Sequence, residues 1–97
     1  MPIYITLIRY TKEGIQNMKK SPERLQKAKE AVKAAGGEMK AFYLTMGQYD
    51  AVSISEAPNE EVYMTTMLAI AAAGAIRTET LRAFTEEEYR RIISALP

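Results

Sequence analysis

Apolar positions recur along this chain in two rhythms, a period of two and a period near 3.6. Between Ile3 and Arg9 the period is two. Ile3, Ile5 and Leu7 alternate with Tyr4, Thr6 and Ile8, and β-branched and aromatic types dominate, so a strand is predicted. Thr11 to Ser21 is irregular, with room for one helical turn seating Ile15 and Met18. Ser21-Pro22 then opens a helix, with serine as N-cap and proline in the first position. Leu25, Ala28, Val32 and Ala35 form its apolar stripe, charges fill the rest, and Gly36-Gly37 ends it. Met39 to Met46 and Asp50 to Glu56 read as two more strands, joined through Gly47-Gln48-Tyr49 as a hairpin. Ala57-Pro58-Asn59 breaks the third strand, and Asn59 caps a second helix that ends at Gly74. Ile76 to Ala83 is a fourth strand. Thr85 opens a third helix with Glu88 at capping-box spacing, and Tyr89, Ile92, Ile93 and Leu96 are its expected buried stripe.

The order is therefore β-α-β-β-α-β-α, and its first six elements are the ferredoxin-like βαββαβ arrangement. Right-handed crossovers leave few alternatives. The expected fold is α+β: one domain over residues 1–97, with an antiparallel sheet in the order 4-1-3-2. Two helices cover one face, and the C-terminal helix extends or latches the sheet edge.

Strand parity separates two faces. The more apolar set is expected to point at the helices: Ile3, Ile5, Leu7, Phe42, Leu44, Val52, Ile54 and Leu81. The opposite face then carries Tyr4, Thr6, Ile8, Tyr43, Thr45, Ser53, Ser55, Thr78, Thr80 and Arg82. That second set is rich in hydroxyls and almost uncharged. A face left in water would carry more lysine and glutamate, so its composition suits a wet oligomer interface or a lined cavity. The second helix adds to this. Val62, Tyr63, Met64, Met67, Leu68, Ile70 and Ala71 surround nearly its whole circumference, as on a helix buried on more than one side. Either a partner chain covers its outer side, or the third helix does so within the monomer.

Composition narrows the chemistry. Hydrophobic residues make up 47% and charged residues 26%, which argues for a packed globular domain rather than disorder. The thirteen basic and twelve acidic residues are dispersed and leave a net charge of +1. The one basic run, Lys19-Lys20 with Arg24 and Lys27, reads as a solvated face, so no nucleic-acid site is expected. The uncharged stretch from Val62 to Ile76 falls short of the roughly 20 residues a membrane span needs. Met1-Pro2-Ile3-Tyr4 has neither a basic region nor a cleavage site, so no signal peptide is expected. There is no cysteine, which removes disulfides and thiolate chemistry and fits a reducing cytoplasm. With no histidine either, a Ser-His-Asp triad, a Cys-His pair and a histidine-bound metal are excluded. No phosphate-binding glycine pattern is present. Glu86-Glu87-Glu88 and Glu60-Glu61 sit in helix first turns, where acids stabilise the dipole, so no metal is expected there.

The segment Thr45-Met46-Gly47-Gln48-Tyr49-Asp50, a glycine, one variable residue, then tyrosine and aspartate after an aromatic strand, resembles the signature of the GYD-domain family. Further stretches are similar in the same order: Tyr4-Ile5-Thr6-Leu7, Thr11 with Gly14-Ile15, Ser21-Pro22-Glu23-Arg24, Glu56-Ala57-Pro58, and Arg77 through Phe84. The resemblance covers essentially the whole chain. It implies a small uncharacterised protein of dimeric α/β-barrel type, in which two ferredoxin-like sheets pack face to face. It carries no reaction. Haem-binding barrel relatives often use a histidine ligand, which is missing here.

The residues left to carry chemistry are few. Tyr4, Thr6, Tyr43, Thr45, Tyr49, Ser53, Thr78, Thr80 and Arg82 are the expected ligand-lining group. Arg9, Gly47, Gln48, Tyr49 and Asp50 form the expected structural corner, with Asp50 either paired to Arg9 or accepting backbone N–H groups of the loop after Thr11. Tyr49 has two readings, packing and ligand contact, and Met64 and Met67 are read as packing. No catalytic residue, metal or cofactor is assigned. The expected function is a homo-oligomeric small-ligand-binding module. The alternatives are a cofactor-free monooxygenase or isomerase, which needs an acid or phenol of shifted pKa in a dry cavity, and an interaction protein.

Overall fold

A computed structural model describes residues 1–97. Strands β1 (Ile3–Tyr10), β2 (Glu38–Leu44), β3 (Ala51–Glu56) and β4 (Ile76–Ala83) form one sheet in the order β2-β3-β1-β4. Every neighbouring pair is antiparallel. Helices α1 (Lys12–Gln16), α2 (Ser21–Ala34), α3 (Glu60–Ala71) and α4 (Glu86–Ser94) complete it. Strand order and connectivity are ferredoxin-like, as the hydrophobic pattern predicts.

Local signals explain most boundaries. Asn59 caps α3 by accepting the Val62 N–H at 3.0 Å. Thr85 and Glu88 form the reciprocal capping box of α4, with bonds of 3.1 and 2.9 Å. Ser21 departs from expectation. It is already helical, because a 3-10 turn, Met18–Lys20, runs straight into α2 and moves the cap position to Lys20. The irregular stretch also holds a defined helix. The Thr11 side chain caps α1 at Gly14 and its hydroxyl donates to the Gly74 carbonyl at 2.6 Å. Gly14 lies directly against the Ala75 carbonyl, where a Cβ would collide. Ile15 is exposed rather than seated.

The parity assignment is reversed on β1, β3 and β4. On β2, past a register shift between Met39 and Ala41, Phe42 and Leu44 share the helix side and Tyr43 the open side, as expected. Tyr4, at 2% exposure, stacks on Tyr63 of α3 with ring centroids 4.4 Å apart. Thr6 bonds to the Tyr63 hydroxyl at 2.7 Å. Ala51, Ser53 and Ser55 of β3 and Ala57 just after it are all buried, short side chains that let the helices sit close above them. The helices therefore cover the hydroxyl-bearing parity. Register carries Ser53, Thr78, Thr80 and Arg82 to the same side, with Phe42 opposite Ser53. The part-exposed Ile3, Ile5, Leu7, Val52 and Ile54 and the exposed Leu81 lie on the other face with nothing over them. Tyr43 pairs with Val52 and belongs to that open face too.

The expected latch is also absent. Tyr89, Ile92 and Ile93 of α4 and Leu96 just beyond it are 48–65% exposed. The helix neither closes the sheet edge nor covers α3, whose Met64 and Leu68 stay exposed. The radius of gyration, 14.7 Å, exceeds the about 12.5 Å typical of a compact chain this long. Only 12 of the 97 residues are buried, a thin core for a lone domain. No helix is long and apolar enough to cross a membrane.

Candidate functional site

The covered face is not filled. Above Thr6, Ser53 and Thr78 a chamber of about 320 Å³ opens between the sheet, α2 and α3. Its walls follow from helical spacing. Ala28 and Ala31 of α2, Ala69 and Ile70 of α3 and Ala73 in the turn after α3 face it, and alanine is too short to close the gap. Its lining includes Met67, which belongs to the buried cluster with Tyr4, Val32, Ala57 and Tyr63, and Thr6, which bonds to the Tyr63 hydroxyl. Ser21, Arg24 and Lys27 stand along its α2 wall. No carboxylate lines it.

The expected ligand-lining residues are thus split. Thr6, Ser53 and Thr78 line the chamber. Tyr4, Thr80 and Arg82 share their side of the sheet but lie outside it. Arg82 reaches Glu60 at the start of α3, Nε to Oε1 3.1 Å, and lies over the Phe84 ring at 4.5 Å. Tyr43 is on the open face, and Thr45 is spent in the hairpin, its hydroxyl donating to the Tyr49 carbonyl at 2.7 Å. Sequence reasoning missed the helix wall. The legible signal was the alanine spacing, Ala28-Ala31 on one helix and Ala69-Ala73 across the end of the other.

Electrostatics are mild. Burial, followed by the charge of Glu60, pushes the Tyr4 phenol above its usual range. Glu60 is held below the ordinary carboxylate range, first by its own backbone N–H and then by Arg82. The hydroxyls of Tyr4 and Ser55 are buried without a hydrogen-bond partner. No group of three acidic, histidine or cysteine side chains gathers in an arrangement that could hold a metal ion.

The hairpin corner is a tie across three strands. Asp50 does not pair with Arg9; its Oδ2 accepts the Tyr10 N–H at 2.9 Å, while its own N–H reaches the Ile8 carbonyl at 2.8 Å. Arg9 donates instead to the Gln48 carbonyl at 3.1 Å and lies 4.7 Å over the Tyr49 ring. Tyr49 donates to Glu79 of β4 at 2.9 Å. Gly47, at φ +109°, supplies the turn conformation that a side chain would resist.

Known proteins agree with this architecture. The GYD domain matches residues 4–93. A Thermus thermophilus protein named glutamine synthetase and cystathionine beta-lyase binding protein is 33% identical over 84 residues, which is 86% of this chain and 88% of that protein. A crystal structure of a protein from Thermus thermophilus superposes with a TM-score of 0.55 at 25% identity, covering 88% of this chain and 95% of the other.

Proposed function

The chain belongs to the GYD-domain family, and on that premise we propose that it is a homo-oligomeric binding module with no reaction of its own. Copies associate by stacking their open sheet faces, the arrangement of a dimeric α/β barrel. The single observation behind this is the uncovered row Ile3, Ile5, Leu7, Val52, Ile54 and Leu81. A sheet face meant for water alternates polar residues outward; on β1 and β3 the apolar parity faces outward and the hydroxyl parity inward, while β4 adds Arg77 and Glu79 to the open face beside Arg9 and Leu7. The bare stripe of α4 and the exposed Met64 and Leu68 of α3 are further apolar surface for the same assembly.

The assembly binds other molecules. The name of the Thermus thermophilus relative supports protein targets, so glutamine synthetase and cystathionine beta-lyase are the first to try. A small molecule is the second object of binding, and its place is the chamber under the helices. Catalysis of the cofactor-free kind is the competing reading. The lack of any carboxylate in the chamber favours binding over it. The absence of cysteine fits the reducing cytoplasm, where we place the module.

Light scattering across a concentration series tests the assembly. The wild type is expected to run as a dimer or larger, and Ile54→Lys as a monomer with an unchanged circular-dichroism spectrum. A monomeric wild type sinks the proposal. Co-purification of the wild type with each purified enzyme tests the protein targets, and failure with both removes them.

A further inference from the structure

The basic run at the start of α2 has a role beyond solvation. Of its four cations, Lys19 and Lys20 lie away from the chamber, whereas the half-buried Arg24 and the exposed Lys27 line it. They lie three residues apart on one helix and so share a face. Neither is paired with a carboxylate: the basic partners in the protein's ion pairs are Lys40, Arg82, Arg90 and Arg91. Arg24 is held in place by backbone carbonyls alone, Asn17 at 3.0 Å and Gly14 at 3.2 Å, so its charge is positioned but not neutralised. Inward from these two cations the wall turns apolar through Ala28, Ala31, Met67 and Ile70. A chamber of about 320 Å³ holds roughly ten groups of a water's volume, about 30 Å³ each.

We propose that this chamber binds a small amphiphilic anion, a carboxylate on an unbranched apolar body of about ten carbons. The head lies at Arg24 and Lys27, where a charge-assisted bond is available, and the body lies between the alanine walls over Thr6 and Ser53. The proposal deepens the small-molecule part of the reading above and is independent of the assembly. It follows from three coinciding features: a void that the protein's own side chains leave, a positive rim without counter-charge, and a lining without any acid.

The test is an NMR titration of the full chain with sodium decanoate, 1-decanol and decyltrimethylammonium, each below its aggregation threshold. Decanoate is expected to saturate at one per chain, shifting Ala31, Met67 and Thr78, and to bind at least tenfold tighter than the cation. Lys27→Glu, a change at an exposed side chain without hydrogen bonds, is expected to abolish or reverse that preference. Ala31→Trp fills the void and is expected to abolish binding of decanoate and decanol alike. Ile54→Lys is expected to leave binding intact. Equal affinity for decanoate and decanol would overturn the anionic class while leaving a small ligand in the chamber. Shifts confined to Ile5, Val52 and Ile54 would overturn the site, as would decanoate binding insensitive to both Lys27→Glu and Ala31→Trp. No binding of any probe overturns this inference and leaves the oligomer untouched.

Discussion

The two faces of one sheet differ in a way that reverses the usual rule. Beneath the helices lie Tyr4, Thr6, Ser53 and Ser55; in the open lie Ile3, Ile5, Leu7, Val52, Ile54 and Leu81. The polar face is buried because its groups are short and because α3 supplies Tyr63, whose hydroxyl answers Thr6 and whose ring answers Tyr4. The apolar face is open because nothing else in the chain reaches it. The lesson is that burial inside a monomer follows packing complementarity. The open row is the surface that the proposed assembly would cover.

Tyr63→Ala should break the covered face most severely. It removes the ring stack, the hydroxyl partner of Thr6 and a side chain that is only 1% exposed. A loss of about 3–5 kcal/mol is expected in denaturant unfolding. Ile54→Lys attacks the other face. A charge in the proposed interface should weaken association by at least tenfold, about 1.4 kcal/mol, while the isolated fold survives because the position is already part-exposed. Equal effects of this change on folding and on association would dissolve the contrast between the faces.

Thr6→Val is the subtler probe of the covered side. It strands the Tyr63 hydroxyl in a buried place, at about 1–3 kcal/mol, whereas Thr6→Val combined with Tyr63→Phe should restore most of that loss. If the double variant is no better than the single, the hydrogen bond is not what licenses a polar covered face. The smallest effect concerns pH. Burial raises the Tyr4 phenol, so the folded protein holds that proton more tightly than the unfolded chain does. The associated stability is present below the ordinary phenol range near 10 and falls as pH rises through the higher folded value. Thermal midpoints between pH 9 and 11 should fall less steeply in Tyr4→Phe than in wild type.

Much of the fold was legible because its signals are local. The Asn59 cap, the Thr85–Glu88 box and the period-two strands each depend on residues a few positions apart. Where the local signal depended on a neighbour, reading failed. Ser21 looked like a cap, but the 3-10 turn before it carries the helix through. Asp50 was expected either to pair with Arg9 or to accept backbone N–H groups of the loop after Thr11; it accepts a backbone N–H, but that of Tyr10 at the end of β1, and Arg9 turns to the Gln48 carbonyl. Of the expected ligand-lining residues, Thr6, Ser53 and Thr78 do share a chamber, although on the face opposite to the one expected.

By itself the sequence determined the elements, their order and the exclusion of histidine and cysteine chemistry, because periodicity, capping and composition are properties of neighbouring residues. It also determined that two faces exist, since side chains on a strand must alternate. Only the tertiary structure decided which face meets the helices. Alternation fixes parity but not direction, and direction was settled by the fit between short hydroxyl side chains on the sheet and Tyr63 and Met67 above them. The chamber beside that contact arose in the same way, from alanines on two helices far apart in sequence that come to face each other only once the sheet has formed.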